Sequence, residues 1–246
     1  NRFFAESDMV SLTTPSLEIY RDKLVTDNEE SKPLYSKMLR NLPFDLTVDS
    51  LKISNGKIKY EERQNTENMG GSINFENLNA TMANVSNTYK SPTKTKIEID
   101  AHFMEKTPIS VNWSFDVQDK QDRFQFSAEV GQLAAGRLNS FTEPNLKVML
   151  EGNTNKTYFT IDGNNTTSTI DMKISYSDFK VTLLQKDGKD KNKFLSTIAN
   201  IFISKNSEKK DEYFKEGKAD ATRNKSKSVF NFLWINVKEA LIKILI

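Results

Sequence analysis

Apolar and polar residues alternate with a period of two through most of this chain. That pattern restricts it to β-structure with one dry and one wet face. Phe44, Leu46 and Val48 carry it first, and Leu51 and Ile53 resume it after a one-residue slip. Ile58 and Tyr60, Ile73 and Phe75, then Leu78, Ala80 and Met82 continue it. Ile97, Ile99, Ala101 and Phe103 follow, and beyond Pro108 come Ile109, Val111, Trp113, Phe115 and Val117. Phe124, Phe126, Ala128 and Val130 close the first half. The second half repeats the habit in Leu146, Val148 and Leu150, in Phe159 and Ile161, in Ile170, Met172 and Ile174, and in Phe179, Val181 and Leu183. Mostly Lys, Glu, Asp, Thr, Ser and Asn stand between them, as in antiparallel sheets wetted on one side.

Turn signals punctuate the pattern. Asn55-Gly56 predicts a type I′ hairpin. Gly70-Gly71, Asp119-Lys120-Gln121, Gly152-Asn153, Asp162-Gly163 and Ser177-Asp178 predict further turns. The expectation is a long antiparallel meander of strands roughly eight to ten residues long, above the usual mode. A short helix is predicted over Lys32 to Leu42, with Leu34, Tyr35, Met38 and Leu39 on one face, and another over Leu133 to Phe141. Phe194, Leu195, Ile198, Ile201 and Phe202 have the spacing of an amphipathic helix. Ser204 to Lys227 is charged and apolar-poor, which predicts a solvated loop or edge strand.

The last helix, Ser228 to Ile246, gathers Ser228, Asn231, Lys238, Glu239 and Lys243 on one side. Phe230, Leu233, Trp234, Val237 and Leu241 lie on the wide apolar face opposite. Lys238 and Glu239 near its middle weigh against a membrane span, at about 2.5–3.5 kcal/mol each on insertion scales. Contact with a membrane surface, or closure of the end of the sheet, fits better. Residues 1–186 therefore read as the β domain and 187–246 as a helical, charged segment capping it. The chain opens inside strand sequence (Arg2 to Ala5), which predicts a piece of something longer.

Composition narrows the chemistry. The 35 basic and 33 acidic residues nearly cancel, leaving +2, so no overall field points to nucleic acid. There is no cysteine, hence no disulfide or thiolate site. The only histidine, His102, sits between Ala101 and Phe103 and so on the wet face. No helical His/Glu cluster, Gly-x-Ser-x-Gly elbow or phosphate loop occurs. Aromatics interleave with lysines, but Phe103, Trp113, Phe115, Phe124 and Phe126 share a face with aliphatics. The wet face mixes Glu98, Asp100, Asp116 and Glu129 with its bases, a poor track for phosphates. A non-enzymatic protein with no cofactor, no metal and no nucleic-acid partner is expected.

The dry face carries most of the functional information. It reads either as the closed core of a β-sandwich or as the lining of an open groove or half-barrel (a β-taco). Few helices are available to cover it, and the meander offers little sign of Greek-key crossings. On the groove reading its lining is Ile97, Ile99, Phe103, Val111, Trp113, Phe115, Phe124, Phe126, Val148, Leu150, Phe159, Ile161, Ile170, Met172 and Ile174. Phe230, Leu233, Trp234, Val237 and Leu241 would close the groove end or touch a membrane. On the sandwich reading the protein is structural or adhesive, binding protein or glycan through its wet face.

Several stretches in order also resemble a family. Leu17-Glu18-Ile19-Tyr20-Arg21-Asp22-Lys23 is followed by Lys32-Pro33-Leu34-Tyr35, then by Leu42-Pro43-Phe44-Asp45-Leu46-Thr47-Val48. Asn55-Gly56-Lys57-Ile58-Lys59-Tyr60-Glu61-Glu62, Ile73-Asn74-Phe75-Glu76-Asn77-Leu78 and Lys227-Ser228-Val229-Phe230-Asn231-Phe232-Leu233-Trp234 follow. Together they look like the C-terminal part of AsmA-like proteins of Bacteroidota, which are similar to the bridge-like lipid transfer proteins TamB and YhdP. The resemblance implies a periplasmic β-groove, anchored in the inner membrane in the full-length protein, with its C-terminal end near the outer membrane. It implies phospholipid or another acyl-chain lipid as cargo, a membrane surface as partner, and no catalysis. A third reading, compatible with either architecture, is a membrane-biogenesis protein that docks onto an outer-membrane assembly protein. The family has no active-site motif to carry over.

Overall fold

The computed structural model of the chain describes residues 3–26, 29–66, 69–184 and 213–245. Within them eleven strands form one mixed sheet that does not close into a barrel. They are β1 (Phe4–Thr13), β2 (Ser16–Asp22), β3 (Asp45–Arg63), β4 (Gly71–Ser86), β5 (Thr95–Phe103) and β6 (Thr107–Phe115). β7 (Phe124–Val130), β8 (Leu133–Ala134), β9 (Val148–Gly163), β10 (Thr167–Leu183) and β11 (Lys215–Thr222) complete it. The order is β1-β3-β4-β5-β6-β7-β9-β10-β11, with β2 continuing β1 along β3 and β8 paired to β9. The helices among the described residues are α1 (Tyr35–Arg40), α2 (Asn139–Leu146) and α3 (Val229–Leu245). The apolar pattern expected at Phe194, Leu195, Ile198, Ile201 and Phe202 lies outside the described residues.

From β3 onward the main strands run antiparallel, as alternation predicts. The first two depart from that expectation, because β1 and β2 pair parallel to β3. The segment from Lys23 to Phe44 carries the chain through α1 before β3 begins, the long crossover that parallel pairing requires. β11, inside the stretch expected to be loop or edge strand, is the edge strand beside β10 and belongs to the same sheet.

Three expected turns are not turns. β3 runs through Asn55-Gly56 as one 19-residue strand. β9 and β10 run through Gly152-Asn153 and Ser177-Asp178 as strands of 16 and 17 residues. The left-handed conformations that made these residues look like turns are real (φ 54° at Asn55, 85° at Gly152, 51° at Asp178), but bulges absorb them. Asn55 stands beside two other left-handed residues, Thr14 (φ 52°) between β1 and β2, and Asn77 (φ 49°) in β4. The extra residue in β3 is compensated by one in β4, so register recovers by Ile58↔Phe75. A hairpin would break the ladders on both sides of β3, whereas matched bulges keep them.

The central strands β5, β6 and β7 are only 9, 9 and 7 residues long. Where they end, β8, a 3-10 turn (Ala135–Leu138) and α2 fill the space between β4 and β9. The expected single helix over 133–141 is thus split, and α2 extends further to Leu146. Asn139 fastens this segment by accepting from the Leu150 N–H (2.8 Å) and donating to the Leu150 carbonyl (3.0 Å). Gly71 is required here, because a Cβ would lie 2.6 Å from the Cα of Phe141.

Candidate functional site: the one-sided apolar face

Register places the apolar positions of successive strands side by side. One row runs Val10, Leu51, Met82, Ile97, Trp113, Phe126, Ile161, Ile170, Ala219 across nine strands. The next runs Leu12, Ile53, Ala80, Ile99, Val111, Ala128, Phe159, Met172, Gly217. Between them, pointing to the other side of the sheet, runs Ser11, Lys52, Thr81, Glu98, Asn112, Ser127, Thr160, Asp171, Lys218. Every member of the third row is polar and, apart from the closing glycine, every member of the first two is apolar.

Cover on the apolar face is uneven. α3 packs chiefly on β11 and β10, burying Val229, Phe232, Leu233, Ala240 and Ile244 in the same cluster as Ile161, Ile170 and Met172. Gly217 admits it, since a Cβ there would come within 2.5 Å of the Ile244 side chain. Asn236 is fully buried at this joint, accepting from the Ser168 hydroxyl (2.9 Å) and donating to the Phe232 carbonyl (2.9 Å). Toward the opposite edge the cover thins. Ile161 and Ile170 are completely buried, Met82, Leu51 and Ile53 are half-buried, and Leu12 is 45% exposed, while Ala80 stays buried in a smaller cluster with Leu78 and Ala101.

α1 covers the middle. Leu34 and Tyr35 join the cluster, with the Tyr35 ring 5.2 Å from that of Trp113. Burial pushes the Tyr35 phenol above its ordinary pKa. Asp122, 2% exposed, fastens the helix by accepting from the Ser36 hydroxyl (2.9 Å) and pairing with Arg40 (2.7 Å). Arg223 lies nearby, donating to Asn165 (2.7 Å) and to the Lys32 carbonyl. Burial lowers its pKa, and the charge of Asp122 opposes that shift. Trp113 is surrounded by Tyr35, Phe115, Phe124 and Phe126, and its buried indole N–H has no acceptor among the described residues.

The wet face has its own relief. A shallow cavity of about 660 Å³ opens there, lined by residues that include Asn112, Glu129, Tyr158, Asp171, Lys173 and Lys218. Its charges are matched locally, with Lys173–Glu216 at 2.7 Å, Lys156–Glu129 at 2.7 Å and Lys218–Asp171 at 3.2 Å. His102 lies on this face, 3.1 Å from the Asn77 amide, and is exposed. Among the described residues no group of His, Asp or Glu side chains is arranged to hold a metal ion. None of their helices is long and apolar enough to cross a membrane.

Compared with family models, curated proteins and solved structures, the chain matches none.

Eleven of the fifteen lining positions expected from alternation come together in one cluster. Ile97, Trp113, Phe115, Phe124, Ile161, Ile170, Met172 and Ile174 are its buried members, and Ile99, Phe126 and Phe159 pack against it partly buried. Phe103, Val111, Val148 and Leu150 lie outside that cluster. Of the α3 residues, Leu233 is buried, Val237 and Leu241 pack half-buried against the cluster, and Phe230 and Trp234 are 56% and 45% exposed. Sequence reasoning missed Tyr176, Asp122, Asn236 and Ser168. Tyr176 follows Ile174 in phase and could have been found by extending the alternation. The three polar residues carry no pattern, because only the docking of α1 and α3 brings their partners near.

Proposed function

We propose that the apolar face is a lipid-binding surface, the wall of a groove or β-taco that holds acyl chains without catalysing a reaction. One observation carries this reading: two unbroken apolar rows span nine strands, and at β1 and β3 their members are half-buried or exposed. Acyl chains gain about 0.8 kcal/mol per buried CH₂ on such a surface. A strip with no polar interruption lets a chain slide without one deep minimum. α3 closes one end of the strip, and the exposed Phe230 and Trp234 rest against a membrane surface. The likeness to AsmA-like proteins supports phospholipid as cargo, a periplasmic setting, and a part in transport between inner and outer membranes.

Native mass spectrometry of protein purified from cells, followed by uptake of fluorescent phospholipid, tests this. Leu51→Asp and Met82→Asp alter half-buried positions and are expected to abolish uptake while the melting transition persists. Lipid-free protein that takes up no phospholipid, or uptake unchanged in both variants, defeats the proposal.

A second reading is favoured by the 660 Å³ cavity, whose Asn112, Tyr158 and Lys218 suit a glycan or a protein loop on the wet face. Lys218→Glu with Asn112→Ala separates the two, since it leaves the lipid surface intact.

A further inference from the structure

The two edges of the sheet are built differently. β11 is eight residues long, carries Glu216, Lys218 and Asp220 on its wet side, and is braced by α3. A short, charged and covered edge resists pairing with another strand. The opposite edge, β1 continued by β2, spans ten and seven residues, and β1 contains no Lys, Arg or Pro. Among the described residues both strands bond to β3 only, and no described strand pairs with their outer backbone groups. Among the described residues, nine of the fifteen exposed large hydrophobic side chains lie between Phe3 and Val25.

This edge also has a charge pattern. Phe4, Glu6, Asp8, Val10 and Leu12 share the apolar face, as their register with β3 requires. Glu6 and Asp8 are exposed and have no ion pair among the described residues. Asp49 of β3, which accepts from the Tyr89 hydroxyl, stands next to them, so three carboxylates gather at this edge.

We propose that the β1–β2 edge docks an extended strand of a protein partner. The partner's residues beside Glu6 and Asp8 are Lys or Arg, and those beside Val10 and Leu12 are apolar. Backbone pairing supplies the affinity of such strand addition, and the alternating side chains supply its specificity. A second copy suits the edge poorly. Antiparallel self-pairing of β1 sets carboxylates of the two copies near each other with no cation between them, and like charges across strands repel. The docking shares Val10 and Leu12 with the proposed lipid surface but is read from Glu6 and Asp8, whereas lipid binding is read from Leu51 and Met82, so either proposal can fail alone.

The test uses two nine-residue peptides and the full chain. One alternates Thr with Lys, Lys, Val and Val, made in both chain directions. The other replaces Lys by Glu. Amide NMR titration up to millimolar peptide is expected to shift and protect β1 with the Lys peptide only. Glu6→Lys with Asp8→Lys, both surface changes, is expected to weaken the Lys peptide at least tenfold and to make the Glu peptide the better ligand. Three results would overturn the proposal: no saturable change in β1, equal binding of the two peptides, or a concentration-dependent dimer that itself protects β1.

Discussion

Gly152 and Asp178 face each other across β9 and β10 as paired left-handed residues, so close that a Cβ on Gly152 would lie 2.2 Å from the Asp178 carbonyl oxygen. The contact fixes where both long strands bend. Gly152→Ala is therefore expected to cost about 1–3 kcal/mol from its backbone conformation alone, with the clash adding a similar amount. Urea denaturation measures it, and a wild-type midpoint would contradict this account of the bulge.

Arg40 is the cation beside a carboxylate that is almost wholly buried. Arg40→Met leaves Asp122 charged with the Ser36 hydroxyl and the nearby Arg223 as its remaining support, and strands the Val117 and Asp119 carbonyls that Arg40 serves, which together are expected to cost roughly 3–5 kcal/mol. Adding Asp122→Asn should return part of that loss, because the buried charge is then gone. The double-mutant cycle, followed by thermal melting, reads the coupling directly.

Among the described residues, Asn236 and Ser168 form the one buried side-chain bond between α3 and the sheet. Asn236→Ala is expected to cost about 1–3 kcal/mol by stranding the Ser168 hydroxyl. The double change with Ser168→Ala should cost less than the two singles summed. Additive losses would mean that the bond does not position α3.

Tyr60 donates to Glu62 at 2.6 Å, and burial, then this hydrogen bond and the carboxylate's charge, raise its pKa well above the ordinary phenol value. The folded state then holds a proton that the unfolded chain loses above pH ~10. Stability from this group is complete below that pH and falls as the medium becomes more alkaline. Tyr60→Phe should flatten the alkaline limb of a stability-versus-pH curve, measured by urea denaturation between neutral pH and about 11.

Much of the site was legible because burial follows phase. Ile97, Ile99, Trp113, Phe126, Ile161, Ile170 and Met172 alternate with polar neighbours, and a strand can bury only one of its faces here. The bends were not legible. Asn55-Gly56, Gly152-Asn153 and Ser177-Asp178 announce left-handed backbone, and both a hairpin and a bulge satisfy that preference. Which one forms depends on whether neighbouring strands continue past the position, and they do.

Period-two and 3.6-residue patterns alone reveal that this chain is β-rich, that its main strands have one dry face, and that its last helix is amphipathic. Those properties follow from local periodicity, which any strand or helix must obey. Long-range packing sets the parallel course of β1 and β2 along β3, the paired bulges that let single strands reach 16 to 19 residues, and the uneven cover of the dry face by α1 and α3. These depend on contacts between distant residues such as Arg40 with Asp122 and Asn236 with Ser168, which no local pattern encodes.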